Sequence, residues 1–248
     1  RQMCIRDRLK VFNDYLPDFF IDCHTTDGAD YQYVATYALE TFGNMDQDLT
    51  QFILEKYEPY LVESMEKKNS PVFPYVTFRS WHDPRSGLRR SVGTPMISQG
   101  YTALQNRIGL LIETHMLKPY KARVFATRDM IIATLEIMNQ HPMEIGALNA
   151  AADIRMSSLK KGPKELTIKY TLDHSDSSII DFRGVEYEVV KSDLTGGHWF
   201  QYSDQPTTFQ LPLFEKQIAR ERVELPMAYI IPVEWKEAQE VIKAQGIA

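Results

Sequence analysis

The chain has 248 residues, with 44% hydrophobic and 25% charged positions, enough to bury a core of ordinary globular size. A formal net charge of -5 gives no basic field for a phosphate backbone, which argues against nucleic acid as a main partner. Cys4 and Cys23 are too few for a disulfide framework or a structural zinc knot, and no apolar run is long enough to read as a transmembrane segment.

The first eight residues, containing QMCIRDR, show neither helical period nor caps and read as a non-native leader or the scar of a truncation. Residues 15–23 (YLPDFFIDC) form an apolar run of strand length, with His24 at its end and the turn residues Thr25, Thr26, Asp27 and Gly28 beyond it. Over residues 46–67, Leu49, Phe52, Ile53, Tyr57, Tyr60 and Leu61 recur at helical spacing, and Pro59 predicts a kink. Residues 72–78 (VFPYVTF) alternate as a strand whose Pro74 suits an edge or a bulge. Residues 79–100 are polar, rich in Gly, Ser and Arg, and read as a long loop with a functional cast. Residues 109–115 (GLLIETH) are the clearest buried strand, apolar through Ile112 and then ionisable.

Residues 123–140 read as an amphipathic helix with Val124, Ile131, Ile132, Leu135 and Met138 inward, stopped by His141 and Pro142. From about residue 145 the character changes to short strands at 165–172, 185–190 and 207–213, with Gly196 and Gly197 in a turn. A helix over about 233–244 closes the chain, with Trp235 and Val241 expected to pack back. The predicted class is α/β: a mixed-sheet α/β part over 9–144, then a smaller, mostly β part over 145–248.

Two strand ends carry ionisable groups directly after apolar runs: Asp22, Cys23, His24 and Glu113, Thr114, His115. Strand alternation puts Asp22 with His24 on one face and Glu113 with His115 on one face, and turns Cys23 away as a core thiol. In an open α/β sheet, ligands bind beyond the carboxyl ends of the strands. A neutral imidazole ligates zinc well, and a carboxylate beside a metal-bound water is the usual base of a metallohydrolase. Asp22 suits orienting a neighbouring ligand, and His115 a hydrogen bond near Glu113. Arg107 has the planar fork that binds a peptide carboxylate, and Arg85, Arg89 and Arg90 suit a substrate entrance.

IDCHTTDGADYQYVATYALE followed by GYTALQNRIGLLIETHMLKPYK resembles the second half of the catalytic domain of carboxypeptidase A-type zinc peptidases, particularly bacterial members with a β-rich extension. The segment PMAYIIPVEWKEAQEVI is similar to the tail of that extension. The resemblance implies a metallocarboxypeptidase that removes residues from peptide and protein C-termini. Zn2+ would be held by an H-x-x-E pair and a later His, which His24 matches, with Glu113 as general base. Tyr101 corresponds to a mobile tyrosine that closes over substrate, although the spacing to Glu113 is shorter than in the animal enzymes. The family's main carboxylate-binding arginine lies in a region this chain lacks. An exported or periplasmic protein is expected by the same resemblance.

No H-x-x-E occurs in the chain. The other two protein ligands are therefore missing, and these residues alone are expected to be inactive, with an apolar sheet edge and one helix face exposed where the first half of the fold would sit. A zinc amidase or deacylase on the same fold, and a non-catalytic peptide-binding module, are the alternatives.

Overall fold

The computed structural model describes residues 2–81, 83–158 and 164–247. It is a mixed α/β structure built on a four-stranded mixed sheet. A helix α1 (Gln2–Tyr15) leads into β1 (Phe19–Thr26), so the opening residues expected to be irregular form the first turns of a helix. Strand β2 (Ala35–Ala38) follows, and then one interrupted helical rod: α2 (Gln47–Phe52), a π-helical turn (Ile53–Tyr57) and α3 (Glu58–Lys67). Asp46 caps the rod by accepting from the backbone N–H groups of Asp48 and Leu49. The expected break falls just before Pro59, which lacks an N–H for the helical ladder, and the wide π turn absorbs the mismatch.

Residues 72–78 are divided between β3 (Val72–Pro74), an edge strand as Pro74 requires, and β4 (Thr77–Ser80). The segment read as a loop holds a further strand, β5 (Asp83–Arg89), which forms a hairpin with β4, and the start of α4 (Ser98–Leu104). Strand β6 (Ile108–His115) lies at the centre of the main sheet, whose order is β1-β6-β2-β3. It runs parallel to β1 and antiparallel to β2.

Helix α5 (Tyr120–Gln140) covers one face of this sheet, and α6 (Pro142–Ser157) begins at the proline that the pattern marks as a stop. The inward face of α5 is only partly the expected one: Ile131 and Met138 pack, partly buried, against the core as expected. Ala126, Met130, Ala133 and Ile137 pack against Leu110 and Ile112, while Val124, Ile132 and Leu135 are exposed. Ala126 and Ala133 share the buried face with the bulkier Met130 and Ile137. Helix α6 crosses position 145 unbroken and places Ile145 and Ala152 in the first core, so the change in chain character comes after α6.

The later strands are β7 (Glu165–Leu172), β8 (Ser178–Lys191), β9 (His198–Phe214) and β10 (Gln217–Glu224). Strands β7 and β10 pair with each other, and β8 and β9 form a long hairpin with Gly196 at its tip. This hairpin joins the earlier chain through Leu88, which pairs with Leu213, and through a second core of Tyr31, Tyr33, Phe182 and Leu211. Gln32 Nε2 fixes the joint by donating to the carbonyls of Gly184 and Thr207 at 2.8 and 2.9 Å. Helix α7 (Lys236–Ala244) does not bury Trp235 or Val241, which stay exposed; it meets α1 instead, where Asn13 donates to the Ala244 carbonyl. Among the described residues, no helix is long and apolar enough to cross a membrane.

Candidate functional site

Apolar runs make β1 and β6 strands, and parallel pairing sets their carboxyl ends side by side. The register pairs Asp22 with Leu111 and His24 with Glu113. Side chains alternate faces along a strand, so Asp22, His24, Leu111 and Glu113 share one face. Leu110 and Ile112 point to the opposite face and the α5 core. Asp22 Oδ2 lies 3.0 Å from His24 Nε2, and Arg8 approaches the same carboxylate at 3.6 Å.

Glu113 is the less solvated of the facing pair. Burial pushes its carboxyl above the ordinary range; the His24 imidazole pulls it down, and Asp22 and Asp27 push it up again. Its Oε2 is buried without a hydrogen-bond partner. Such an atom costs about 1–3 kcal/mol if left unsatisfied, so its retention needs a reason.

Glu113 lines a cavity of about 290 Å³ bounded by the ends of β2 and β5, the 91–97 loop and the first turn of α4. Glu40, Arg89, Arg90 and Gln99 line it too. Gln99 is 7% exposed, and its Oε1 is likewise buried without a partner.

The loop wall is held by Glu40, which is 5% exposed. Its carboxylate accepts the N–H groups of Phe42 and Gly43 at 2.9 and 2.8 Å, and that of Gly93 by a short bond. Burial raises the Glu40 carboxyl above its ordinary range, while these donors and Arg90 pull it back. Gly93 and Gly100 sit backbone to backbone beside it: a Cβ on Gly100 would fall 2.6 Å from the Gly93 carbonyl carbon.

The remaining predicted residues are dispersed. Arg107 stands at the opposite end of β6, about 20 Å of extended strand from Glu113 at roughly 3.3 Å per residue. It is 4% exposed and forks onto Asp153 at 3.1 and 2.9 Å, so it is a structural ion pair rather than a carboxylate receptor. Tyr101 is in a separate apolar cleft, its ring edge-on to Phe12 and its hydroxyl donating to Gln245 Oε1 at 2.9 Å. It does not line the Glu113 cavity.

His115 is fully buried against Tyr31, and its Nδ1 accepts from the Leu117 N–H at 3.1 Å, which leaves the proton on Nε2. Burial pushes its pKa down and keeps it neutral. Cys23, expected in the core, is exposed: it lies on the edge strand β1 in an open cleft with Arg123 and Thr127 of α5. Of the arginine cluster, Arg89 and Arg90 reach the cavity, while Arg85 lies over the Tyr187 ring at 3.9 Å.

Two residues of the site, Glu40 and Gln99, escape sequence reasoning. Glu40 precedes the turn-forming Gly43 and Asn44, a signal for a capping acid, but nothing local marks Gln99.

A catalytic zinc needs three protein ligands plus an open position. Among the described residues, no group of three His, Cys, Asp or Glu side chains could hold a metal ion. His24, with its Nε2 against Asp22, is a single ligand at most, and the residues present do not by themselves fit zinc. Comparison of the chain with protein-family models, with curated proteins and with solved structures finds no match in any of the three.

Proposed function

We propose that these residues are the C-terminal portion of a zinc metallocarboxypeptidase, with His24 as one metal ligand and Glu113 as the carboxylate that transfers protons. The observation that carries this reading is the registered pairing of His24 with Glu113 at the carboxyl ends of two parallel strands, with Glu113 Oε2 buried and unpaired. A carboxyl raised above its ordinary range is a stronger base toward the attacking water than a fully solvated one, and once protonated it can still pass the proton to the more basic leaving amine.

Two further features support it. Strand β1 is an edge of the sheet, and Val124, Ile132 and Leu135 leave an apolar row of α5 uncovered. Both suit a larger mixed sheet extended beyond β1 by a segment that brings the two remaining ligands. Sequencing upstream of residue 1 is the first test: an H-x-x-E there supports the reading and its absence overturns it. In a protein that carries the segment, Glu113→Gln should lower kcat by about 10²- to 10⁴-fold with zinc content unchanged. Retained turnover would reject the role of Glu113.

A further inference from the structure

A second cleft lies between α1, β1 and α4 and meets the Glu113 cavity only at Ile97. It holds about 380 Å³ and is walled by Leu9, Phe12, Phe20, Met96, Ile97 and Tyr101. Phe12 is buried at its back, where its ring meets those of Phe20 and Tyr101 edge-on at 6.1 and 5.3 Å. Leu9, Phe20 and Tyr101 are only partly buried, and Met96 is 92% exposed. Reachable apolar surface in a concave place, of a volume within the range of small-molecule sites, suits a ligand with an apolar body.

Among the residues lining the cleft, Arg8 is the one charged side chain. It is 62% exposed, so its guanidinium is open to a ligand. The acid it approaches, Asp22, is 3.6 Å away, longer than a hydrogen bond, and is itself engaged with His24 at 3.0 Å. We infer that the cleft binds a small monocarboxylate with an apolar body, its carboxylate on Arg8 and its body against Leu9, Phe20 and Tyr101. The walls reward removal of apolar area from water, and the one cation sets the sign of the polar end. An ammonium would meet Arg8 unfavourably, and a neutral amide would gain the walls without the charge. Asp22 competes for Arg8 and weakens the ligand, but a single contact at 3.6 Å leaves most of a five-donor fork unused. Neither His24 nor Glu113 enters the inference, so it stands or falls apart from the peptidase reading.

The test is calorimetric titration of the 248-residue chain at low salt with 4-phenylbutyrate, 4-phenylbutyramide, 4-phenylbutylamine and acetate. 4-Phenylbutyrate should bind one-to-one, at least about tenfold more tightly than acetate, which lacks the body. Its advantage over the amide should be about threefold, the size expected of an exposed ion pair, and larger over the amine. Arg8→Gln should remove the advantage over the amide, and Asp22→Asn should tighten 4-phenylbutyrate by about two- to threefold. Phe20→Ala should weaken both the butyrate and the amide. If that variant does not fold, Met96→Glu, at an exposed rim position, should weaken the butyrate and spare the amide. Absence of saturable 4-phenylbutyrate binding, equal affinity for butyrate and amide, or an advantage that survives Arg8→Gln overturns the inference.

Discussion

His24 on β1 and Glu113 on β6 are register partners in a parallel pair: the imidazole is exposed and bonded to Asp22, while the carboxylate has a buried oxygen that nothing in the fold satisfies. The fold gains nothing from a carboxylate at that position. A neutral side chain of the same shape would hold β6 equally well.

Replacing Glu113 should therefore stabilise the protein. The native pKa is raised, so the favourable protonated form is fully present below about pH 4.3 and its contribution is lost as pH rises through the native value. Glu113→Gln should melt higher than the parent at neutral pH, by on the order of 1 kcal/mol, and the gap should close on acidification. Thermal melts at about pH 4 and about pH 7.5 decide this; a lower Tm at neutral pH would make Glu113 a structural residue.

Two glycine substitutions should act in opposite directions. In Gly100→Ala the new methyl would lie 2.2 Å from the Thr94 carbonyl oxygen and 2.6 Å from the Gly93 carbonyl carbon, both backbone atoms that cannot swing aside. A loss of about 2 kcal/mol or more is expected, together with distortion of the cavity wall. Gly146, in α6, has nothing within 4 Å of the position a Cβ would take, so Gly146→Ala should gain up to about 1 kcal/mol from helix propensity. Urea unfolding midpoints of the two variants report both signs.

Arg107 should matter to stability. Its buried guanidinium depends on Asp153, so Asp153→Ala strands a charge at the start of β6. Because Asp153 is partly exposed, a cost of about 2 kcal/mol is expected, below that of a fully buried pair. Chemical denaturation measures it.

Zinc should bind these 248 residues only weakly. One imidazole without two further fixed ligands gives little affinity. Competition against a chromophoric chelator should show no stoichiometric site, and His24→Ala should leave the titration nearly unchanged. Tight one-to-one binding abolished by His24→Ala would mean that the chain assembles a metal centre from its own residues.

The strands around the two ionisable ends were legible because an apolar run closed by turn residues or charge is a local property. Residues 109–115 and 165–172 correspond closely to β6 and β7 for that reason. Helix α5 was legible as a helix and only partly in its orientation: Ile131 and Met138 pack against the core as expected, whereas Val124, Ile132 and Leu135 lie outside and Ala126, Met130 and Ala133 take the buried face. The β5 strand escaped notice because its residues are polar and its pairing partners, β4 and β9, supply the hydrogen bonds.

By itself, then, the sequence determined that ionisable residues stand at two strand ends, since His24 and Glu113 each follow an apolar run of strand length. Tertiary structure decided which of them meet. Parallel pairing of β1 with β6 set His24 opposite Glu113, while the length of β6 carried Arg107 away to Asp153 and α4 turned Tyr101 towards α1. The cavity formed by Glu113 and Gln99 belongs to tertiary structure alone, because burial of an unpaired oxygen is a property of everything packed around it and of no residue's own neighbours in the chain.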